Sequence, residues 1–388
     1  MLKRREFCRL AAIAGATLAA GHSGLVRAAA TAYGTLGQPL TEVAQLDWLC
    51  NAVALTNADN RLFAGLPRWP GNEKTPSIGE IMPDGSLKPF PGGAWNTWAP
   101  GQPGAHALVK INTIHIFDDD TLWAVDQGSS ECSDGNGKKV LQFDTRTGKV
   151  LRNITFGPDI LPPGADLNDL RLDAGHAYFT DSGAGAIVVL DLKTGKAIRR
   201  LAGHPSTKAH PERRPMGEGG TALMAADGSD LVVNSDPIEL SPDGRWLYYQ
   251  PLTGPLWKVD TVALRDPKIS EQELAKYVHF VYDTPPLTGT AIDSAGNLYF
   301  AEMDRPRITV LSPDGALRVL AEDVLLWNPD AMIISNRREL YVPIPQSGRL
   351  ASNRGPGASS MIEAPYKIFK MPLPDYLGQR ETVPAVAR

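Results

Sequence analysis

Residues 112–126 read NTIHIFDDDTLWAVD, which is an alternating apolar strand, an aspartate-rich turn and a second apolar strand. The same unit recurs five more times along the chain. The other copies are NAVALTNADNRLFAG (51–65), NDLRLDAGHAYFTD (168–181), DPIELSPDGRWLYYQ (236–250), TGTAIDSAGNLYFAE (288–302) and DAMIISNRRELYVPI (330–344). Internal repetition of this kind is the signature of a repeat architecture.

Each copy leads into further strand segments. In IVVLDLKTGKA (187–197), for example, a third strand ends in the tight-turn sequence Asp-x-x-Thr-Gly-Lys and a fourth strand follows. The composition agrees, because 37 Gly and 32 Pro in 388 residues suit many short turns better than long helices. Six four-stranded antiparallel units predict an all-β fold, a six-bladed β-propeller. A β-sandwich would not explain six matching hairpins.

The two ends of the repeat array predict how the ring closes. Residues 41–47 (TEVAQLD) precede the first copy, and residues 366–373 (YKIFKMPL) form the third strand of the last copy. We expect 41–47 to supply the outermost strand of blade six, because pairing there protects an open sheet edge. One helix is predicted, opening at the capping box Ser270–Glu273.

The first 30 residues have the pattern of an export signal. A basic start is followed by a short apolar run and by small residues that end in Ala28-Ala29-Ala30. The paired Arg4 and Arg5 before Phe7 predict the twin-arginine type; an ordinary secretory peptide with chance arginines is the alternative. The expected organisation is a signal peptide over 1–30 and a single propeller domain over 31–388, in the periplasm or secreted.

The charge balance limits the partners. Residues 1–30 hold five basic residues and one acidic residue, so the rest of the chain carries 34 Lys and Arg against 42 Asp and Glu. An acidic chain without a basic run is poorly suited to nucleic acid. No later segment has about 18 uninterrupted apolar residues, so we expect no membrane span in the mature chain. A small molecule is the expected partner, and serine-nucleophile or nucleotide chemistry has no supporting motif.

When the six copies are aligned on their apolar positions, one position is polar in every copy. Two residues before the first apolar column, each copy has a short oxygen-bearing side chain: Asn51, Asn112, Asn168, Asp236, Thr288 and Asp330. Strict alternation puts this position on the same face as the apolar columns, and the innermost strands of a propeller line its channel. We therefore expect one ring of six at the channel mouth.

Two interpretations of this ring remain open. Amide and carboxylate oxygens are ligands for a hard divalent cation, calcium being the expected one. Alternatively, the ring is a polar vestibule that binds a ligand directly, and Asn and Asp are also common at strand starts because they cap loops.

A second group of polar residues ends the second strands, near the same face. Its members are Arg68, Asp126, Asp181, Thr253 and Glu302. Arg68, Asp126, Asp181 and Glu302 are predicted to bind ligand together with Asn51 and Thr288, although an Asp before Ser or Gly also stabilises a bend. Four long loops, 92–108, 127–139, 203–228 and 345–364, are expected on this face.

Three other residues carry predictions of their own. Cys50 and Cys132 are expected near the top of adjacent blades, where they form either a disulfide or two separate thiols. His115 alternates out of phase with Ile114 and Ile116, so it is expected to pack between blades.

The residues resemble a known family. NRLFAGLPRWPGNEKTPSI (60–78), LWAVDQGSSE (122–131), DLNDLRLDAGHAYFTDSGAGAIVVLDLKTG (166–195) and LSPDGRWLYYQPLTGPLWKVDT (240–261) are similar to the yellow/major royal jelly proteins, over residues 40–370. That resemblance implies a secreted six-bladed propeller. Some members bind small amines in the central cavity, and some are linked to dopachrome conversion.

A weaker resemblance is to the senescence marker protein/gluconolactonase family, also six-bladed. Those enzymes hold a divalent cation with Asn, Asp and Glu at the inner strand starts, and an aspartate ligand is also the base that opens a sugar lactone. The resemblance implies Asn112, Asn168, Asp236 and Asp330 as metal ligands and Asp236 as the catalytic base. Asp330 stands where that family has Glu, a departure because the shorter carboxylate reaches less far.

Three functions follow as hypotheses. The first is a metal-dependent lactonase or related hydrolase that uses Asp236. The second is a periplasmic protein that binds a small ligand without catalysis. The third, suggested by family resemblance alone, is an isomerase that acts on a quinone-like compound.

Overall fold

A computed structural model describes residues 36–380 of the chain. The predicted export signal over 1–30 lies outside the described residues, so it and the predicted compartment stay predictions. None of the helices in residues 36–380 has the length and hydropathy needed to cross a membrane.

The described strands form six antiparallel sheets. Two short strands come first, β1 (Leu36–Gly37) and β2 (Thr41–Leu46). Blade one has β3 (Ala52–Leu55), β4 (Leu62–Gly65), β5 (Ile78–Ile81) and β6 (Leu87–Pro89). Blade two has β7 (Ile111–Ile116), β8 (Thr121–Asp126), β9 (Lys139–Asp144) and β10 (Val150–Ile154). Blade three has β11 (Leu167–Leu172), β12 (His176–Asp181), β13 (Ala186–Asp191) and β14 (Ala197–Arg200).

The second half of the molecule repeats this arrangement. Blade four has β15 (Ser235–Leu240), β16 (Trp246–Pro251), β17 (Leu256–Asp260) and β18 (Val278–Tyr282). Blade five has β19 (Leu287–Ile292), β20 (Leu298–Glu302), β21 (Arg307–Leu311) and β22 (Leu317–Glu322). Blade six has β23 (Ile333–Ile334), β24 (Glu339–Ile344) and β25 (Tyr366–Pro372). The six-bladed propeller is confirmed.

The ring closes as the sequence predicts, with one addition. Strand β2 pairs with β25 as the outermost strand of blade six, with Thr41 opposite Lys370 and Leu46 opposite Tyr366. The inner strands contact one another in the order β3, β7, β11, β15, β19, β23 and back to β3. The unforeseen strand is β1, which pairs with β22 and gives blade five a fifth strand.

Helices are few and short. Helix α1 spans Thr261–Arg265, and its N-cap is Asp260, whose carboxylate accepts from two backbone amides. Helix α2 spans Glu271–Leu274 and begins at the predicted cap, because Ser270 accepts from the Glu273 amide. Single 3-10 turns occur at Gly93–Asn96, Pro205–Thr207, Glu218–Gly220, Ala275–Tyr277, Val324–Leu326, Ser347–Arg349 and Ala351–Asn353.

The core lies between neighbouring blades. The apolar columns of the inner strands are fully buried there; Ile114 and Leu170 are each 0% exposed. Ile114 packs in one cluster with Ala52 and Phe63 of blade one.

The disulfide alternative for Cys50 and Cys132 is wrong, because both are buried free thiols. Cys50 packs with Val53 and Ile368 where blades one and six meet, whereas Cys132 lies in a separate cluster with Trp98 and Val109.

Candidate functional site

Register breaks at the start of the inner strands set the geometry of the site. The pairing shifts between Ile111 and Thr113 in β7 and between Leu167 and Leu170 in β11, and similar shifts occur in β15 and β19. The ring positions Asn112, Asn168, Asp236 and Thr288 fall inside these four irregularities. A bulge re-aims side chains locally. The expectation from strict alternation is therefore wrong, since the apolar columns pack between blades while the ring faces the channel.

All six ring residues line one cavity of about 380 Å³. The bulge in β11 adds Asp169 beside Asn168, and the bulge in β7 adds Thr113 beside Asn112. The structure thus brings together every residue of the predicted ring, and it includes a third carboxylate that the alignment passed over.

The asparagine side chains of the ring donate hydrogen bonds in one direction, each to the next blade. Asn51 Nδ2 donates to the Asn112 backbone oxygen at 2.6 Å, and Asn112 Nδ2 donates to Asn168 Oδ1 at 2.9 Å. The Asn168 side chain in turn donates to Asp236. Because the donors are used in this chain, Asn51 Oδ1 is left buried without a hydrogen-bond partner in the described part of the chain.

The two ring carboxylates are electrostatically unfavourable as anions. Burial raises the pKa of Asp236 well above its usual range, and the charge of Asp169 adds to the shift. Burial likewise raises the pKa of Asp330, with a further contribution from Asp236. Positive charge brought to this part of the cavity would therefore favour both carboxylates in their ionised form.

Asp169 belongs to a buried charge network beneath the ring. Its Oδ1 lies 2.9 Å from His115 Nε2, and its Oδ2 accepts from Arg171 at 2.9 Å. Arg171 also donates to both oxygens of Glu239, at 2.9 and 2.5 Å, and Thr290 donates to Glu239 at 2.9 Å. Four adjacent inner strands are tied together in this way.

His115 packs against the neighbouring blade as expected, but its partners there are the charged side chains of Asp169 and Arg171. Burial lowers the pKa of His115, and Arg171 lowers it further. For Asp169, burial alone would raise the pKa, but Arg171 and His115 outweigh burial and hold it below its usual range. Asp169 is thus a fixed anion at the cavity.

Two of the second-strand candidates are engaged in buried ion pairs. Asp126 accepts from Lys139 Nζ at 2.8 Å, with both side chains 0% exposed. Asp181 accepts from Arg199 at 2.6 Å and from the Asp166 amide at 2.8 Å. Neither aspartate lines the cavity.

The remaining second-strand candidates also lie outside the cavity lining. Glu302 pairs with Arg307 at 2.7 Å and accepts from Thr309 at 2.9 Å. Arg68 donates to the Glu73 backbone oxygen at 2.6 Å and lies over the ring of Trp98. Thr253 is buried beside the end of β16. The structure therefore brings the ring together but does not bring these residues to it.

Loops supply the rest of the cavity lining. We call residues 203–234 and 345–364 the wall loops. They are joined where Met224 N donates to the Asn353 oxygen at 3.1 Å, and where Arg349 pairs with Glu218 at 2.9 Å. Leu231, Val233, Ser347, Leu350, Ser352 and Asn353 of these loops line the cavity. The length of the loops was a signal in the sequence, but which of their side chains face inward has no periodic pattern.

The comparisons with known proteins agree with the fold. No curated protein sequence matches the chain significantly. Among solved structures, a luciferin-regenerating enzyme is 11% identical with a TM-score of 0.56, covering 90% of this chain and 100% of that one. A calcium-binding regucalcin from Agrobacterium tumefaciens is 12% identical, with a TM-score of 0.52 over 89% of this chain and 98% of that one.

A gluconolactonase from Xanthomonas campestris is also 12% identical, with a TM-score of 0.51 over 86% of this chain and 89% of that one. These likenesses are of fold alone. The family model "Major royal jelly protein" matches residues 111–342, which is more than half of the chain and runs from blade two into blade six. The chain therefore belongs to the major royal jelly protein family.

Proposed function

We propose that the protein binds a small molecule in the central cavity, with a divalent cation held at the ring. One observation carries this proposal. Three buried polar atoms that lack a partner within residues 36–380, Asn51 Oδ1, Thr113 Oγ1 and Ser347 Oγ, belong to residues that line the same cavity. Buried polar groups are nearly always hydrogen-bonded, so three unsatisfied atoms in residues around one cavity support a site that a bound ion or ligand completes.

The oxygen set of the ring fits a hard cation. Asp236 and Asp330 supply two carboxylates, Asn112 and Asn168 supply amide oxygens, and Asn51 Oδ1 is the acceptor left without a donor. Calcium takes six to eight such oxygens, and two carboxylates balance its charge. Within residues 36–380 no three His, Cys, Asp or Glu side chains form a metal cluster, so this site depends on amides as well as acids.

The candidate reaction is hydrolysis of a lactone. A bound cation would polarise the ester carbonyl and lower the pKa of a water molecule. Asp236 is the candidate base, because its carboxylate lies in the cavity among the ring oxygens that would hold the cation and its water molecule. Asn168, which donates to Asp236, orients that carboxylate. Among the structurally similar proteins are a calcium-binding regucalcin and a gluconolactonase, so calcium and lactones are the first ion and substrates to test.

The second candidate function is binding without turnover. It is favoured by the cavity lining in the described residues, which contains no His, Cys or Tyr that could share acid–base work with the aspartates.

The test is a matched pair of substitutions in blade four. Asp236→Asn removes a ring carboxylate at constant shape, whereas Asp243→Asn alters an exposed turn aspartate of the same blade. We expect wild type and Asp243→Asn to bind about one calcium ion per chain by titration calorimetry, and Asp236→Asn to lose that binding. The rate of lactone hydrolysis should fall in Asp236→Asn together with calcium binding. Calcium binding that survives in Asp236→Asn would contradict the cation site, and calcium binding without any lactone turnover would favour the second candidate.

A further inference from the structure

One side of the cavity is apolar. Leu231, Val233, Leu252 and Met303 line it and pack in a single cluster with Leu223. Leu252 follows β16 in blade four and Met303 follows β20 in blade five, whereas Leu231 and Val233 come from a wall loop. Leu350, from the wall loop after β24, extends the same lining. We call these five lining residues, without Leu223, the apolar wall.

The side formed by blades two and three is polar. It is lined by Lys110, Gln127 and Ser182, together with the ring residues of those blades. A ligand in this cavity therefore meets the polar ring and the hydrogen-bonding groups of blades two and three, and it meets the hydrocarbon of the apolar wall on the side of blades four and five. Ser347, Ser352 and Asn353 of the second wall loop also line the cavity.

From this asymmetry we infer the substrate class of the site, an inference that rests on the proposed function. We propose that the ligand is an amphipathic lactone, whose polar ring faces the channel residues and whose alkyl or aryl substituent lies against the apolar wall. A bare aldonolactone fits less well, because hydroxyl groups turned toward the apolar wall would exchange water hydrogen bonds for none.

The size of the cavity bounds the substituent. About 380 Å³ is near the lower end of small-molecule pockets, so the lactone ring leaves room for a short chain only. Each methylene that leaves water for the apolar wall is worth about 0.8 kcal/mol, which corresponds to about a fourfold gain in affinity or in kcat/KM. The gain should stop once the chain fills the cavity.

The experiment uses a series of γ-lactones with substituents of no, two and four carbons, and glucono-δ-lactone as the aldonolactone. Binding is measured by calorimetry and hydrolysis by kcat/KM, both with calcium present. In the wild type we expect both to rise about fourfold per methylene, and glucono-δ-lactone to be the poorest substrate.

Three neighbouring residues provide the variants. Val233→Thr and Leu231→Ser add a hydroxyl to the apolar wall and should flatten the gain per methylene. Val232, between them, is 60% exposed and does not line the cavity, so Val232→Thr should behave as the wild type. Retention of the full gain in Val233→Thr and in Leu231→Ser would overturn the inference.

The outcomes separate this inference from the proposed function. Hydrolysis with a preference for glucono-δ-lactone would overturn the amphipathic class and leave the hydrolase standing. Chain-dependent binding without hydrolysis would support the amphipathic class and overturn the reaction. If the affinity does not depend on the length of the lactone substituent, the inference is overturned, whatever the rates of hydrolysis are.

Discussion

At the scale of single residues, the buried charges beneath the ring are the most constrained feature. Arg171 is 9% exposed and faces two carboxylates, Asp169 and Glu239. Removing these three charges from water costs free energy. Each charge is tolerated in the interior because the oppositely charged groups beside it are present. Through Asp169, the same contacts hold an anion at the cavity.

Removal of Arg171 should therefore destabilise the protein strongly. We expect Arg171→Met to lower the free energy of unfolding by about 3–5 kcal/mol, because Glu239 and Asp169 lose their shared counter-charge. Chemical denaturation measures this. The control is Arg245→Met, an arginine whose side chain is 64% exposed and 3.6 Å from Asp260, which should cost no more than about 1 kcal/mol.

The double variant Arg171→Met/Glu239→Gln should recover part of the lost stability, since it removes one of the two uncompensated charges. Equal losses in the Arg171 and Arg245 variants would contradict this account of the network.

At the scale of elements, the strand that closes the ring is the least local. β2 pairs with β25 although some 325 residues separate Glu42 from the Lys367 that its carboxylate contacts at 2.8 Å. The strand alternates: Ala44 is 5% exposed and packs in the cluster shared with blade one, whereas Gln45 is exposed. Its buried face ties the first blade to the last.

A charge on the buried face of β2 should open this closure. We expect Ala44→Asp to lower the free energy of unfolding by at least about 2 kcal/mol, because its carboxylate would be buried without a partner. The same change one residue on, Gln45→Asp, falls on the exposed face, where it loses only the exposed hydrogen bond to Glu42, and it should cost no more than about 1 kcal/mol. Thermal melts of the two variants test this prediction. An equal drop in melting temperature in both variants would mean that β2 does not pack as described.

At the scale of the whole molecule, the cavity gathers residues from every blade. The ring takes one residue from each of six repeats, and the wall loops come from the connections after blade three and within blade six. A ligand at the ring therefore contacts the folded ring as a whole and has no equivalent site in the unfolded chain. Binding must then be linked to global stability.

Calcium should raise the melting temperature of the wild type. At a free concentration of about 100 times Kd, the added stability is about 2.7 kcal/mol, and a chelator should reverse it. Scanning calorimetry with and without calcium measures the shift, and Asp236→Asn should melt at one temperature in both conditions. A calcium shift of the same size in Asp236→Asn would place the ion elsewhere.

The sequence by itself determined the six repeats, the strand order within blades, the closing strand 41–47 and the six ring positions. The repeats and the ring positions depend on strand periodicity and turn chemistry, which need only some ten residues. The closing strand was predicted from the need to protect the open edge of the last blade. The Ser270 cap needs only four residues.

The tertiary structure alone decided the rest of the site. A bulge turned Asp169 into the channel beside Asn168, and long-range contacts joined His115, Arg171 and Glu239 and assembled the apolar wall. It also separated Cys50 from Cys132 and engaged Asp126, Asp181 and Glu302 in buried pairs. Strand alternation holds only while the ladder is regular. Where it breaks, or where a loop returns over the channel, packing between distant segments sets which way a side chain points.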